Sequence, residues 1–133
     1  MSSYKKKFHL SQRASECNRI LAKYPSHVPT IVECDKKIGV LNKQKFLVPN
    51  DVSVSHLLIS VRKQISLDGS KSIFMFCDNM ILCPTVMMNQ VYSSYLRNKK
   101  DEPEDKFLYI TIASENTFGW KLRLETTFFN NGW

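Results

Sequence analysis

The side chains that could act as nucleophiles or metal ligands in this sequence are few and widely spaced. Four cysteines and three histidines are present: Cys17, Cys34, Cys77, Cys83, His9, His27 and His56. No two cysteines form a C-x-x-C pair, whereas structural zinc sites need ligands paired at short spacing. The pattern predicts reduced cysteines packed as small apolar side chains, with no metal, no cofactor and no catalytic residue. A cysteine–histidine nucleophile pair stays open because its members meet in space, although no local sequence signature supports one.

Length and composition predict one globular domain that works in the cytosol. The chain has 133 residues, of which 43% are hydrophobic and 23% are charged, as in ordinary folded domains. No apolar run approaches the roughly 20 residues that span a bilayer. Residues 1–9 also lack the apolar centre of a secretory signal. We therefore expect membrane contact only through partners or covalent modification.

Positive charge is concentrated in the amino-terminal half. The formal net charge is +7; residues 1–63 hold twelve Lys and Arg against four Asp and Glu, and the remainder holds seven against eight. Such a basic surface favours an acidic peptide, anionic lipid or nucleic acid as a partner, and on composition alone a solvated face without a partner is an equal alternative. A nucleic-acid partner is not expected, since the sequence has neither a known module nor aromatic–basic alternation.

Three helices are predicted from apolar residues that recur at helical spacing. The first covers Ser11 to Lys23 with Ser11 as its N-cap, the second follows Ser53, and a short one follows Thr85. Residues 4–9 add a helical turn ahead of the first helix. This helical turn and the first helix are N-terminal additions to the strand-containing part of the chain.

Four β-branched or aromatic runs predict strands, namely Thr30–Cys34, Lys45–Val48, Ile73–Cys77 and Phe107–Ile112. The first two form a hairpin across a connection that contains Gly39, and the last is the most apolar, which predicts a central position. From residue 30 onward the order is strand, strand, helix, strand, short helix, strand. The predicted fold class is therefore α+β, a ubiquitin-like β-grasp with two extra N-terminal helices.

Seven short segments, taken together in their order and spacing, carry a family resemblance. They are Tyr24-Pro25, Val28-Pro29, Ile31-Val32-Glu33, Lys45-Phe46-Leu47-Val48-Pro49, Val61-Arg62-Lys63, Phe107-Leu108-Tyr109-Ile110 and Ser114-Glu115-Asn116-Thr117-Phe118-Gly119. In this combination the chain resembles the autophagy ubiquitin-like modifiers, the Atg-eight, light-chain-three and GABARAP group. The resemblance implies an unprocessed precursor with a helical extension (1–28), a β-grasp domain (29–119) and a tail removed on maturation (120–133).

The resemblance implies a surface on which an extended aromatic-x-x-aliphatic peptide adds a strand beside the second strand. The aromatic pocket would comprise Glu16, Ile20, Pro29, Ile31, Lys45, Leu47 and Phe107. The aliphatic pocket would comprise Phe46, Val48, Pro49, Val52 and Leu57. Without the resemblance, most of these residues would be interpreted as core. Arg13, Lys43 and Lys45 are expected to attract the acidic flank of such a peptide.

Two positions depart from the family pattern. Ser60 and Gln64 stand where a leucine and an arginine are expected. The aliphatic pocket is therefore predicted to be shallower and more polar, with a different peptide preference. The loss of one buried leucine-sized contact costs roughly 1.5–3 kcal/mol.

The resemblance also implies chemistry at Gly119. A processing cysteine protease would cut between Gly119 and Trp120, and activating and conjugating enzymes would then carry the glycine as a thioester to phosphatidylethanolamine. Glycine suits a narrow catalytic channel because it lacks a Cβ, and the aromatic Phe118 precedes it. Gly132 is an alternative, but it lacks the matching approach sequence. The apolar alternation from Trp120 to Leu124 could form an extra strand that regulates processing.

The sequence thus predicts a modifier and adaptor rather than an enzyme. Once lipidated, it would move from the cytoplasm to the autophagosomal membrane and bind receptors that carry aromatic-x-x-aliphatic motifs. One alternative is a modifier joined to a protein lysine, of the Atg-twelve kind, against which the segment Lys45–Pro49 argues. Another is a ubiquitin-like interaction domain that is never conjugated, which the long apolar tail supports. A cysteine hydrolase is the weakest alternative.

Overall fold

The computed structural model describes residues 2–35, 38, 41–65 and 72–114 of the chain. Along these ranges the elements are α1 (Ser3–Lys7), α2 (Leu10–Lys23), β1 (His27–Cys34), β2 (Lys45–Pro49), α3 (Val54–Arg62), β3 (Ile73–Cys77), β4 (Met80–Ile81), α4 (Met88–Asn98) and β5 (Leu108–Ser114). The strands form one sheet in the order β2-β1-β5-β3-β4. β1 is antiparallel to β2 and parallel to β5, and β3 is antiparallel to β4 and β5. This mixed sheet with helices on both faces is the predicted α+β, ubiquitin-like β-grasp.

Strands β1 and β5 lie side by side at the centre of the sheet. Residues Thr30 to Cys34 of β1 face Leu108 to Ile112 of β5 in parallel register. Parallel strands are ordinarily covered on both faces, and most side chains of these two strands are buried. The predicted central position of the last strand is therefore confirmed.

The main hydrophobic core lies between the sheet and helices α3 and α4. On this face β2 contributes Phe46 and Val48, and α3 contributes Val54, Leu57 and Val61. The three α3 residues recur at i, i+3 and i+7, the spacing of one helix face. This helix begins after Ser53, as its sequence predicts.

Helices α1 and α2 cover the opposite face of the sheet. Tyr4, Cys17, Ile31 and Phe107 form a second buried cluster there. The rings of Tyr4 and Phe107 meet edge to face with centroids 5.8 Å apart, which is a favourable aromatic arrangement. Cys17 is fully buried, and burial raises the pKa of its thiol to about 12. Its role is therefore packing rather than nucleophilic chemistry.

A buried ion pair fastens α2 to the segment that leads into β5. The Arg13 guanidinium donates a hydrogen bond to the carboxylate of Asp105, and the two side chains are 5% and 0% exposed. Arg13 also reaches Glu102 at 3.0 Å. Asp105 accepts further hydrogen bonds from the Tyr109 hydroxyl at 2.6 Å and the Phe107 N–H at 3.1 Å. Such additional hydrogen bonds stabilise a buried ion pair because they offset the free-energy cost of removing its charges from water.

A second polar contact holds α1 against β1. The carboxylate of Glu33 accepts hydrogen bonds from the Ser3 hydroxyl at 2.6 Å and the Tyr4 N–H at 3.0 Å. Burial alone would raise the pKa of Glu33, but hydrogen bonds from Ser2, Ser3 and the Tyr4 N–H outweigh it and lower the pKa below its usual value. The carboxylate thus stays charged where it anchors α1.

The two predicted N-caps outside α3 are wrong. Helix α2 is capped by His9 rather than Ser11, and the His9 N–H donates to the Gln12 side chain at 2.9 Å. Helix α4 begins after Met87 rather than Thr85, because the Met88 N–H donates to the Val52 carbonyl at 2.8 Å. At both helices the cap is followed three residues later by a glutamine that accepts from the cap N–H, and a choice of caps by Ser or Thr alone overlooks this pattern.

The strand bounds also differ in places from the prediction. β1 begins at His27, three residues earlier than expected, and the two-residue strand β4 was not predicted. The predicted turn at Asp78 and Asn79 is confirmed, with φ angles of 52° and 65°. Gly39 and residues 120–133, on which a connection and a tail strand were predicted, lie outside the described residues.

We predict that Arg13→Ala lowers the free energy of unfolding by about 3 kcal/mol or more, because it leaves the Asp105 carboxylate buried without its cation. Urea unfolding monitored by circular dichroism measures this change. The matched control is Arg19→Ala on the same helix, since Arg19 is 67% exposed and its pair with Glu16 spans 3.9 Å. Surface pairs contribute about 0–1 kcal/mol, so equal losses in the two variants would contradict the prediction.

Candidate functional site

Strand β2 forms one edge of the described sheet and pairs there with β1 alone. Its side chains alternate, with Lys45 and Leu47 exposed and Phe46 and Val48 buried. Lys45 lies opposite Ile31 in the β1 register, on the face covered by α2. Phe46 and Val48 point to the other face, toward α3. An edge strand offers backbone N–H and C=O groups to which a further strand can bond.

A first pocket, of about 240 Å³, opens between α2 and β2. Its walls combine an apolar interior with a basic rim. The lining residues are Arg19, Ile20, Lys23, Tyr24, Pro29, Thr30, Lys43, Lys45, Phe46, Leu47 and Phe107. The exposed Leu47 and the fully buried Phe107 show its depth, because they are 39% and 1% accessible. The first pocket can therefore take a large apolar side chain.

Cations surround the mouth of the first pocket. Arg19, Lys23, Lys43 and Lys45 all line it. Glu16 at the rim pairs with Lys45, whose Nζ lies 2.7 Å from its carboxylate oxygen. The Lys43 ammonium lies 5.1 Å from the centroid of the Phe46 ring, within cation–π range. With four cations and one acid, the rim attracts negative charge.

A second pocket, of about 320 Å³, opens between β2 and α3. The residues that line it are Lys43, Phe46, Leu47, Val48, Pro49, His56, Leu57, Ser60 and Gln64. Lys43, Phe46 and Leu47 line both pockets. The two pockets are therefore neighbours, separated by the edge strand and opening on opposite faces of it.

Two polar residues, Ser60 on α3 and Gln64 in the turn after it, are among the residues that line the second pocket. The Ser60 hydroxyl donates to the His56 carbonyl at 3.2 Å. The Oε1 atom of Gln64 is buried and has no hydrogen-bond partner among the described residues. These are the two positions where the sequence departs from the family pattern, and both line the pocket as expected.

Nine of the twelve predicted peptide-binding residues line the two pockets. In the first pocket these are Ile20, Pro29, Lys45, Leu47 and Phe107, and in the second they are Phe46, Val48, Pro49 and Leu57. Ile31 instead lies fully buried in the cluster beneath α2, and Val52 packs against the main core. Glu16 pairs with Lys45 at the rim.

Several lining residues were not among those predicted. Lys23 and Tyr24 follow Ile20 by about one helical turn, and Arg19 precedes it. His56 precedes Ser60 by four residues on α3, which places both on one stripe of that helix. Helical periodicity extended from Ile20 and from Ser60 would have identified Lys23, Tyr24 and His56, whereas Arg19 is adjacent to Ile20 in sequence and does not follow from that spacing.

The expectation that Arg13 attracts an acidic peptide is wrong. Its guanidinium is buried against Asp105 and Glu102, so its charge is compensated inside the protein. The sequence does not distinguish a basic residue on the exposed face of a helix from one on its buried face. Arg19, on the same helix and at the first pocket, occupies the position expected of Arg13.

The predicted conjugation and processing residues Phe118, Gly119 and Trp120 lie outside the described residues. The last residue of β5, Ser114, pairs with Ile73 of β3. Within the described ranges, no three His, Cys, Asp or Glu side chains are grouped as metal ligands would be. No helix in that part of the chain is long and apolar enough to cross a bilayer.

The fold and the edge strand define a ubiquitin-like protein, and comparisons with known proteins specify its family. A family model described as the ubiquitin-like autophagy protein Atg8 matches residues 12–119. Autophagy-related protein 8e of Arabidopsis thaliana is 44% identical over 120 residues, or 89% of this chain and 93% of that protein. Autophagy-related protein 8 of Schizosaccharomyces pombe is 38% identical over 89% of this chain and 94% of that protein. The chain therefore belongs to the Atg8 family of ubiquitin-like autophagy proteins.

Solved structures agree with this assignment. The crystal structure of Trypanosoma brucei ATG8 matches with a TM-score of 0.76 and 28% identity, covering 86% of this chain and 96% of that one. Plasmodium falciparum Atg8, solved in complex with a Plasmodium falciparum Atg3 peptide, matches with a TM-score of 0.69 and 25% identity. That match covers 86% of this chain and 99% of the Plasmodium chain.

We predict that truncation at the rim and beneath the first pocket has different effects on stability. Leu47→Ala should change the free energy of unfolding by less than about 1 kcal/mol, since surface substitutions are usually small in effect. Ile31→Ala should lower it by about 2–5 kcal/mol, because Ile31 is fully buried and its removal leaves a cavity. Chemical denaturation of both variants measures the difference, and a Leu47 effect as large as that of Ile31 would place Leu47 in the core.

Proposed function

We propose that this chain is an autophagy modifier that binds aromatic-x-x-aliphatic peptides along β2 and is conjugated through Gly119 to phosphatidylethanolamine. In this proposal residues 1–28 and 29–119 form the working unit, and residues 120–133 are released by a cysteine protease. Activating and conjugating enzymes supply the chemistry, so the chain itself is not an enzyme. It works in the cytoplasm until lipidation places it on the autophagosomal membrane.

The observation that carries the peptide-binding proposal is the position of the two pockets on opposite faces of an edge strand. A peptide that extends the sheet alternates its side chains between the two faces. Residues separated by an odd number of positions therefore point to opposite faces. In an aromatic-x-x-aliphatic motif the anchors are three positions apart, roughly 10 Å at the rise of a strand. One bound strand can thus fill the first pocket with its aromatic residue and the second with its other anchor.

Charge supports an acidic partner for the same surface. The peptide strand would approach along the line of Lys43 and Lys45, with Arg19 and Lys23 beside the aromatic anchor. Acidic residues flanking the motif would gain from this potential chiefly through faster association and selectivity. Among the described residues, Glu16 is the acid that forms ion pairs with cations of this rim, so receptors with acidic flanks are the expected partners.

Conjugation is supported by family membership and by one related structure. The match to the family model extends to residue 119, which is Gly119. The Plasmodium falciparum relative was solved with a peptide of Atg3, and by similarity we include a conjugating enzyme of that kind among the partners. Two acyl chains on the attached phospholipid satisfy the two-signal requirement for stable membrane anchoring.

We predict that labelled peptides with an acid-flanked aromatic-x-x-leucine motif bind saturably in fluorescence anisotropy. Lys45→Glu should weaken binding on the order of tenfold or more, since it reverses a rim charge beside Glu16. Lys100→Glu, an equal change of charge at an exposed residue beyond α4, should leave binding nearly unchanged. Absence of saturable binding, or equal affinities of the two variants, would refute docking at β2.

Conjugation can be tested by reconstitution with activating enzyme, conjugating enzyme and phosphatidylethanolamine liposomes. A chain that ends at Gly119 should form a lipid conjugate, whereas the full-length chain should do so only after the protease has removed residues 120–133. Intact mass spectrometry reports both the cleavage and the lipid adduct.

The same truncated chain with Gly119→Ala serves as the control and should give no conjugate. A family member of established reactivity confirms that the enzymes and protease are active. If that reference reacts while the truncated chain does not, the never-conjugated interaction domain becomes the better description. A conjugate on a protein lysine instead of lipid would favour the Atg-twelve kind.

A further inference from the structure

We propose that Lys99 is a site at which small acyl thioesters modify this chain. The residue lies in the wall of a third pocket, of about 290 Å³. The lining of this pocket shares no residue with that of the first or the second pocket. It includes three lysines, two aspartates and a tyrosine, namely Lys5, Lys99, Lys100, Asp78, Asp101 and Tyr95. Modification of Lys99 requires neither peptide binding nor conjugation.

The Lys99 side chain is held at the carboxyl end of α4, where the residue is the C-cap. Its ammonium nitrogen lies 5.4 Å from the centroid of the Tyr95 ring, one helical turn earlier. Lys99 is half-buried, whereas Lys100, the next residue in sequence, is exposed. The Lys99 amine is therefore partly removed from water, yet a reagent that enters the third pocket can reach it.

The acids whose charges act most on Lys99 already bind other cations. Arg13 forms ion pairs with both Glu102 and Asp105, and the Lys5 ammonium lies 3.6 Å from the Glu102 carboxylate. Lys99 forms no ion pair with any residue that the structure describes. Its positive charge is therefore less well compensated than that of Lys5 or Arg13.

Burial and neighbouring charge together favour the neutral form of this amine. Partial burial lowers the pKa of Lys99, and the positive charges of Lys5 and Arg13 lower it further. The carboxylates of Asp105 and Glu102 act in the opposite direction, but the pKa remains below its ordinary value. A larger fraction of the amine is consequently unprotonated at neutral pH than in an exposed lysine.

The remaining titratable groups of the third pocket do not hold Lys99 in its charged form. Asp78 and Asp101 line the pocket, but neither forms an ion pair with a lysine among the described residues. Burial raises the pKa of Tyr95, so its hydroxyl stays neutral. Lys100 adds a further positive charge to the lining.

A lysine amine that is partly desolvated and lies near other cations is activated as a nucleophile. The neutral nitrogen attacks the carbonyl carbon of the thioester. A carbon–nitrogen bond forms, the carbon–sulfur bond breaks, and the thiolate leaves with the electron pair. The proton lost by the nitrogen neutralises the thiolate, so the products are an amide and a free thiol. Acylation removes the positive charge of Lys99, and with it the repulsion from Lys5 and Arg13.

The first test uses the full chain and S-acetyl-N-acetylcysteamine, a small uncharged thioester. Proteolysis and mass spectrometry give the rate of acetylation at each lysine. We expect Lys99 to react several-fold faster than Lys100, the matched control that is adjacent in sequence and lines the same pocket. In concentrated urea the two rates should become nearly equal, because the difference arises from the folded pocket. This comparison needs no variant of the protein.

The second test examines the effect of charge on Lys99. Its acetylation rate should rise at a lower pH than the rate at Lys100, because a lysine with a lowered pKa loses its proton earlier. Lys5→Gln removes a neighbouring cation and leaves Glu102 to act on Lys99, so it should reduce the ratio of the two rates, whereas Lys5→Arg should retain the ratio. Lys6→Gln is the control, since Lys6 is exposed on the same helix and outside the pocket lining.

Equal rates at Lys99 and Lys100 in the folded chain would overturn the proposal. A preference for Lys99 that persists unchanged in urea would also overturn it, because the preference would then belong to the local sequence and not to the pocket. Coincident pH profiles, or a ratio that Lys5→Gln leaves unchanged, would contradict activation by the surroundings of Lys99. Peptide binding at β2 is measured separately and does not depend on any of these results.

Discussion

The parallel pairing of β1 with β5 is the constraint on which the rest of the structure depends. Two adjacent strands in parallel register are stable in water only when both faces of the sheet are covered. Helices α3 and α4 cover one face, and α1 and α2 cover the other. The N-terminal helices are therefore part of the domain's core and not an appendage. Because β2 lies outside this covered pair, it remains an edge with a helix beside each face.

The two pockets follow from that arrangement. Each pocket lies between the edge strand β2 and the helix that covers the adjoining face of the sheet. The first pocket lies beside α2 and the second beside α3. Their lining is mixed because the alternation of β2 sends Leu47 outward and Phe46 inward. The buried ion pair of Arg13 and Asp105 fixes α2, and thereby fixes the wall of the first pocket. A change in the docking of α2 would consequently change the shape of the peptide site.

Much of this fold can be predicted from the sequence, because its elements are marked by local periodicity. The bounds of β3 and the central place of β5 follow from short apolar runs, and α3 follows from its heptad-like spacing. The caps of α2 and α4 were missed because His9 and Met87 are not residues that usually cap a helix. The glutamine three residues after each of them, Gln12 or Gln90, bonds back to the N–H of the cap residue.

The residues of the candidate site could be predicted less completely than the elements of the fold. Pocket residues on β2 can be assigned by alternation, but the depth of each residue depends on packing between elements. Ile31 and Leu47 both face α2, yet Ile31 is covered and Leu47 is half exposed. The role of Arg13 could not be read from the sequence either, because its partner Asp105 is 92 residues away.

The open edge of β2 also affects whether two copies of the chain associate. An uncovered edge strand is a template for pairing with any other strand, including the same strand of a second molecule, which leads to aggregation. Two copies meeting edge to edge through β2 would bring Lys43 and Lys45 of each against those of the other. The basic rim that attracts an acidic segment therefore also repels self-association. Selectivity for a foreign strand and solubility of the domain have the same electrostatic origin.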